Sequence, residues 1–162
     1  MDKYIGDAVM LLFGATEPDP EHAFHAVATA VLLRRVIEHV SRRRQEEGLR
    51  TVRFKMSVNT GPMLAGNMGS AEHMQFTVVG DAVNLASRIC GMADPGQIVI
   101  SQAVCHDAGV RKQIVYRRHQ TMRLRGVKLP TMTYTVNNLG RAYRDDLDAF
   151  VAELFEEDHR AD

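Results

Sequence analysis

The chain has 162 residues, the size of a single domain with its own core, and its 20 lysine and arginine residues balance 20 aspartate and glutamate residues. This zero net charge argues against a nucleic-acid partner, because no overall field draws the chain to a polyanion. No apolar run reaches the roughly 18 to 20 residues of a membrane span, so we expect no direct membrane contact from this segment. Two cysteines, Cys90 and Cys105, are too few for a disulfide framework and predict reduced thiols in the cytoplasm.

The first predicted element is a hairpin between residues 3 and 13. Glycine followed by aspartate suits a tight turn, so the turn is placed at Gly6 and Asp7. Asp7 would then lie at an exposed corner. The apolar run from Ala8 to Phe13 predicts that the second strand is buried.

Helices and strands alternate through the rest of the chain. The predicted elements are a helix from Ala23 to near Gly48, a strand at Val52–Val58, a loop rich in glycine and proline, a strand at Met74–Val79, a helix at Asp81–Ala93, a strand at Ile98–Ile100, a short helix at Gln102–Ala108, a strand at Ile114–Arg118 and a strand pair at Met122–Leu124 and Met132–Val136. This order predicts an α+β fold with one mostly antiparallel sheet and helices on one face.

The segment FTVVGDAVNLASR, residues 76–88, contains the most informative polar pattern. A helix that begins just after Gly80 puts Asn84 and Arg88 four residues apart, on one face of its first two turns. An amide and a guanidinium near the positive end of a helix dipole suit a sugar oxygen and a phosphate group. A solvated helix face that carries an incidental asparagine and arginine is the alternative, and it is favoured for any isolated pair.

Three segments together resemble the catalytic domain of the class III nucleotidyl cyclases. They are KYIGDAVMLLFG, VNTGPMLAGNMGS and FTVVGDAVNLASRI, in that order along the chain. The resemblance predicts a partial catalytic domain at residues 1–137, followed by a helical, charged tail at residues 138–162. It implies a ferredoxin-like fold that acts as a head-to-tail homodimer, with active sites at the interface that convert ATP to 3′,5′-cyclic AMP and pyrophosphate.

The resemblance also assigns roles to particular residues. Asp7 is similar to the second of two metal-binding aspartates, Lys3 to the lysine that recognises adenine, and Thr77 to a second purine-specifying residue. Asn84 and Arg88 are similar to the pair that orients the ribose and stabilises the transition state. Arg125 lies near the position of a basic residue that holds the triphosphate. Two divalent ions, Mg²⁺ or Mn²⁺, are the implied cofactors.

Two features leave alternatives open. A lysine can only donate, so Lys3 favours adenine, which offers a ring acceptor, but the Thr77 hydroxyl can play either part. Guanylate cyclase therefore remains an alternative, as does a noncatalytic nucleotide-binding or dimerisation module. In the family, a strand with the first metal aspartate and two helices precede the hairpin. Nothing precedes it here, so we expect a truncated domain with impaired activity on its own.

Overall fold

The computed structural model of the chain describes residues 3–5, 7–70, 73–122 and 130–156. In chain order the elements are β1 (Lys3–Ile5), β2 (Ala8–Met10), α1 (His22–Glu46), β3 (Met56–Val58), β4 (Leu64–Ser70), β5 (His73–Val79), α2 (Asp81–Met92), β6 (Ile98–Ser101), α3 (Gln102–His106), α4 (Ala108–Arg111), β7 (Ile114–Met122), β8 (Thr131–Leu139) and α5 (Arg141–Glu156). Within these ranges, no helix combines the length and apolar character needed to cross a bilayer.

The main sheet has four strands in the order β3-β6-β8-β7. Strand β3 runs parallel to β6, whereas β8 is antiparallel to both β6 and β7. Two antiparallel hairpins, β1–β2 and β4–β5, form separate two-stranded sheets. The fold is therefore α+β, as predicted, but its main sheet is mixed.

Strand β6 separates two apolar layers. Ile98 and Ile100 are buried in the larger core cluster with Val27 of α1, while Val99 packs with Ile89 of α2. Successive residues of a strand point to opposite faces of its sheet, so α1 and α2 lie on opposite faces. The prediction that all helices share one face is wrong, because β6 is apolar on both of its faces and each needs a cover.

Helix α1 forms where the sequence predicts it and spans the larger core. Near its middle, the guanidinium of Arg34 donates to two β8 carbonyls, at 3.1 Å to Val136 and 2.5 Å to Asn137. The helix ends at Glu46, and Gly48 follows with a φ of +72°, a left-handed conformation that glycine adopts without strain. Arg34 thus joins α1 to the centre of the sheet.

Helix α5 packs along α1. The rings of His39 and Phe155 stack with centroids 3.8 Å apart, and Arg35 pairs with Asp148 at 3.5 Å. A helix in this part of the chain agrees with the predicted helical tail. The division of the chain at residues 137 and 138 stays a prediction.

The N-terminal hairpin has the predicted pairing but not the predicted burial. Lys3 lies opposite Met10, and Asp7 occupies the turn and is exposed, as expected. The prediction of a buried second strand is wrong, since Ala8 is exposed and Val9 is 48% exposed. The physical reason is that the hairpin is not part of the main sheet, and neither core cluster of the described residues includes a residue of β2.

Three other strand boundaries differ from the prediction. Strand β3 begins at Met56, because ladder pairing with β6 starts there, and the preceding Val52 and Phe54 remain 41% and 44% exposed. The loop predicted after β3 contains β4, which pairs with β5 along its whole length. Strand β7 continues to Met122 because β8 pairs with it again at Thr121 and Met122, after an irregularity in the register between Arg118 and Thr121.

Candidate functional site

The candidate site is built on α2. This helix begins at Asp81, and the backbone N–H groups of Val83 and Asn84 both donate to the carbonyl of Gly80, at 3.2 and 3.3 Å. Asn84 and Arg88 are both exposed, one turn apart on the same face, as predicted. Neither side chain has a hydrogen-bond or ion-pair partner among the described residues. An amide and a guanidinium therefore stand side by side, available to a ligand.

Gly80 determines how the chain enters α2. Its φ is +156°, and a Cβ atom at this position would lie 3.3 Å from both the Cα of Met63 and the carbonyl oxygen of Pro62. A side chain here would meet backbone atoms, which cannot rotate away. Glycine therefore permits both the turn from β5 into α2 and the close approach of the loop before β4.

The face of α2 opposite Asn84 and Arg88 rests on β3 and the residues after it. The Ser57 hydroxyl donates to the carbonyl of Ala86 and the Asn59 side-chain amide donates to that of Ala82, both at 2.8 Å. A Cβ atom on Gly61 would lie 3.1 Å from that of Ala82, so this contact is also close. The sequence analysis did not identify Ser57 or Asn59. Ser57 lies in the predicted strand Val52–Val58 and Asn59 lies one residue beyond it, so their two-residue spacing was the only available signal for a shared face.

Thr77 lies on β5, directly opposite Gly66 of β4 and three residues before Gly80. Its side chain is half-buried. Chain connectivity therefore keeps Thr77 close to the start of α2. A purine-contacting role for Thr77 stays a prediction.

Asp7 and Lys3 belong to the β1–β2 hairpin, which pairs with no strand of the sheet that supports α2 in the described part of the chain. Asp7 lies at the turn of the separate β1–β2 sheet, and no hydrogen bond or ion pair joins it to α2 in the described part of the chain. Lys3 lies on β1 of the same hairpin, and its side chain falls outside the described part. Arg125 also lies outside the described residues.

The described residues of one chain do not form a complete site for two metal ions. Asp7 offers a single exposed carboxylate, and the described ranges contain no group of three histidine, cysteine, aspartate or glutamate residues that could hold an ion. Magnesium is usually bound through one or two carboxylates together with substrate phosphates, so Asp7 fits as one ligand among several.

Polar contacts at the start of α1 reach the loop after β3, at residues 59–61. Nδ1 of His22 lies 2.8 Å from the carbonyl oxygen of Asp19, so it must donate, and Nε2 lies 3.3 Å from the hydroxyl of Thr60. His25 bonds the Asp19 carboxylate at 2.8 Å, and this hydrogen bond lowers the pKa of Asp19 below its ordinary value of 3.8. Residues 59–61 thus contact both α1 and α2.

Comparison with known sequences identifies the family. Residues 3–138 match the adenylate and guanylate cyclase catalytic domain, which covers most of the chain. The chain therefore belongs to the class III adenylate and guanylate cyclase family. The match includes both the β1–β2 hairpin and α2.

Individual relatives support the assignment without resolving the purine. Adenylate cyclase 1 of Rhizobium meliloti (strain 1021) is 29% identical over 141 residues, which is 86% of this chain and 21% of that protein. An uncharacterised protein of Mycobacterium tuberculosis (strain ATCC 25618 / H37Rv) is 31% identical over 135 residues, or 81% of this chain and 23% of that protein. The chain thus spans about a fifth of the length of these curated relatives.

Solved structures give the same result for the fold. The guanylyl cyclase Cya2 superposes with a TM-score of 0.79 at 30% identity, covering 88% of this chain and 71% of that one. The adenylyl cyclase CyaB from P. aeruginosa superposes with a TM-score of 0.75 at 27% identity, covering 86% of this chain and 72% of that one. A non-canonical dimeric guanylyl cyclase domain of the RhoGC fusion protein from Blastocladiella emersonii superposes with a TM-score of 0.57 at 26% identity, covering 79% of this chain and 65% of that one.

Proposed function

We propose that this domain is an adenylate cyclase, which converts ATP to 3′,5′-cyclic AMP and pyrophosphate at an interface between two copies of the chain. The observation that carries the proposal is the exposed, unpaired Asn84 and Arg88 pair on a helix whose other face is anchored. An arginine without an internal partner is free to pair with phosphate oxygens, and a triphosphate site requires such a cation.

The reaction defines what each residue would do. The ribose 3′ oxygen loses its proton and bonds to the α-phosphorus, while the bond from that phosphorus to the pyrophosphate oxygen breaks. Arg88 would stabilise the negative charge that develops on the α-phosphate. Asn84 would hydrogen-bond the ribose and hold the 3′ oxygen in line, without exchanging a proton itself.

Metal ions are part of the proposal, in agreement with the family. A bound Mg²⁺ or Mn²⁺ neutralises phosphate charge and makes the 3′ hydroxyl more acidic. Asp7 would supply one oxygen ligand, and two ions would need further carboxylates besides it. The roles of Asn84 and Arg88 do not depend on how that set is completed.

Two observations favour a site shared between copies. Asp7 and Lys3 belong to a hairpin separate from the sheet that supports α2, so residues of the proposed site divide into two groups within one chain. In addition, Leu64 and Val79 lie opposite each other on β4 and β5 and are 71% and 45% exposed. An apolar pair this exposed is typical of a surface that another chain covers. We infer that a second copy brings the two groups together.

Lys3 and Thr77 support ATP as the substrate. The lysine ammonium would donate to a ring nitrogen of adenine and the threonine hydroxyl would accept from the exocyclic amino group. Guanine presents the reverse pattern. The similarity to the guanylyl cyclase Cya2 supports guanylate cyclase as the second candidate.

Turnover by the intact protein tests the proposal directly. Purified protein with Mn²⁺ should form cyclic AMP from ATP faster than cyclic GMP from GTP, and Lys3→Glu should remove the preference for ATP. Asn84→Ala and Arg88→Ala should each lower kcat by about 10²- to 10³-fold, the usual effect of removing one transition-state donor. Arg42→Ala, an exposed arginine of α1 on the other face of the sheet, is the matched control and should retain activity.

Three results would count against the proposal. Preferential turnover of GTP would select guanylate cyclase. Nucleotide binding without turnover would select a noncatalytic module. Normal turnover after both Asn84 and Arg88 become alanine would place the chemistry elsewhere.

A further inference from the structure

We propose that Ser57 and Asn59 are positioning residues for the cyclase reaction, because they fix the rotation of α2 about its own axis and so aim Asn84 and Arg88 at the substrate. This inference rests on the proposed function of the α2 pair. Neither residue would touch the nucleotide, since each is engaged with the opposite face of the helix.

The contacts between α2 and residues 55–59, which comprise β3 and one residue on each side of it, form a regular series. Asn59 donates to the carbonyl of Ala82 and Ser57 to that of Ala86, both at 2.8 Å, and the Cys90 thiol donates at 3.4 Å to the carbonyl of Lys55. The strand partners are thus spaced by two residues and the helix partners by four.

This spacing matches the geometry of the two elements. Two residues of a strand advance about 6.6 Å and four residues of a helix advance about 6 Å, so successive contacts stay in register. The series runs antiparallel, because lower numbers on the strand meet higher numbers on the helix. Three polar contacts in one line therefore hold the helix along its length and prevent it from rolling on the sheet.

The same series sets the direction of the functional pair. Each residue of a helix turns by about 100°, so Asn84 lies about 200° from Ala82, and Arg88 lies about 200° from Ala86. The anchored face and the face that carries the pair are therefore nearly opposite. Any roll of the helix moves the two side chains sideways by an amount proportional to their distance from the axis.

Apolar packing alone would not provide this restraint. Leu85 and Ile89 hold α2 against Val99 in the smaller core cluster, but apolar burial has no preferred direction. A roll of about 10° displaces a side-chain tip about 6 Å from the axis by about 1 Å, and a displacement of that size can lower a rate by about 10². The directional bonds from Ser57 and Asn59 oppose this roll.

Steady-state kinetics of variants of the intact protein test the inference. Ser57→Ala and Asn59→Ala should each lower kcat by about tenfold or more and change the KM for ATP by less than about threefold, because transition-state contacts are lost more than ground-state ones. Ser57→Thr keeps the hydroxyl donor and should retain kcat within about twofold. Asn59→Asp should behave like Asn59→Ala, because a carboxylate cannot donate to the Ala82 carbonyl.

A matched control separates positioning from stability. The Ser41 hydroxyl donates to the carbonyl of Val52 at 2.6 Å and accepts from the Val52 N–H at 3.1 Å, and these two bonds of α1 do not involve α2. Ser41→Ala should lower Tm at least as much as Ser57→Ala does, yet leave kcat unchanged. All assays are run at a fixed interval below the Tm of each variant.

A double-mutant cycle with Arg88→Ala gives the decisive readout. If Asn59 acts through the α2 pair, Asn59→Ala should lower kcat by a smaller factor in the Arg88→Ala background than in the parent, because only its effect through Asn84 then remains. Additive losses would overturn the inference, as would normal kcat in Ser57→Ala and Asn59→Ala while Asn84→Ala and Arg88→Ala are inactive. In both of those cases the proposed function would survive. Active Asn84→Ala and Arg88→Ala variants would overturn both proposals.

Discussion

Asp19 is a residue whose acidity the fold changes. Its carboxylate accepts a hydrogen bond from His25 at 2.8 Å and a second one from the backbone N–H of Glu21 at 2.9 Å, just before α1. The hydrogen bond from His25 contributes most to lowering the pKa of Asp19 below 3.8, and the bond from Glu21 acts in the same direction. The folded state therefore favours the charged form of this side chain.

The sign of the pH dependence follows from this shift. A carboxyl group with a lowered folded-state pKa stabilises the fold above its unfolded pKa and loses that contribution as pH falls through the folded one. The free energy of unfolding of the parent protein should therefore exceed that of Asp19→Asn at about pH 5, and the difference should shrink as the pH falls below 3.8.

Urea titrations of both proteins between about pH 2 and pH 7 measure this difference. Asp146→Asn is the control, because the Asp146 carboxylate is exposed and has no ion-pair or hydrogen-bond partner among the described residues. The difference in free energy of unfolding between the parent and Asp146→Asn should not shrink in the same way as the pH falls. A parent-to-Asp19→Asn difference that grows in acid would contradict the assigned direction.

At the scale of one element, two glycines in and next to α2 are in opposite situations. Gly80 precedes the helix with a φ of +156° and backbone atoms 3.3 Å from any Cβ, whereas Gly91 is exposed in the last turn and a Cβ there would meet nothing within 4 Å. Glycine is required at the first position and is only a weak helix former at the second. The same substitution should therefore have opposite effects.

Gly80→Ala should lower the free energy of unfolding by about 1 to 3 kcal/mol, because alanine must adopt a strained conformation against backbone atoms. Gly91→Ala should raise it by about 0.5 to 1 kcal/mol. Chemical denaturation measures both, and cyclase activity should fall for the first variant only. Equal effects of the two substitutions would show that the start of α2 tolerates a side chain and that the strain assigned to Gly80 is absent.

Some of this element-scale structure could be predicted from the sequence. The periodic apolar residues of α1 and α2 gave both helices nearly to the residue, and with α2 came the shared face of Asn84 and Arg88. Strong amphipathic periodicity predicts a helix well, because the repeated apolar residues form the face that the folded helix buries.

Strand β4 and the anchoring of α2 could not be predicted in the same way. The segment LAGNMGS has little intrinsic strand preference, and it becomes a strand because β5 pairs with it residue by residue. The bonds from Ser57 and Asn59 to α2 join residues 29 and 23 positions apart in the chain. Local patterns contain no information about such distant partners.

At the scale of the whole molecule, the proposed site needs two copies of the chain. In a two-fold symmetric dimer, each site would take Asp7 from one copy and Asn84 and Arg88 from the other. Asp7→Asn and Arg88→Ala should each inactivate the protein alone. A heterodimer of the two variants nevertheless contains one site with neither substitution.

Co-expression of the two variants with different tags tests this arrangement. Random pairing makes half of the dimers mixed, and each mixed dimer has one intact site of two, so activity should recover to about a quarter of the parent value. A mixture of two Arg88→Ala chains with different tags is the control and should stay inactive. Failure of the mixed sample to exceed its separate components would show that each site lies within one chain.

The outer edge of β3 has a practical consequence for handling the protein. No described strand pairs with that edge, and the apolar Val52 and Phe54 just before it are partly exposed. Open strand edges next to apolar side chains are templates on which chains aggregate. A lysine at position 52 or 54, which discourages edge-to-edge stacking, should keep the isolated domain in solution at concentrations where the parent sequence precipitates.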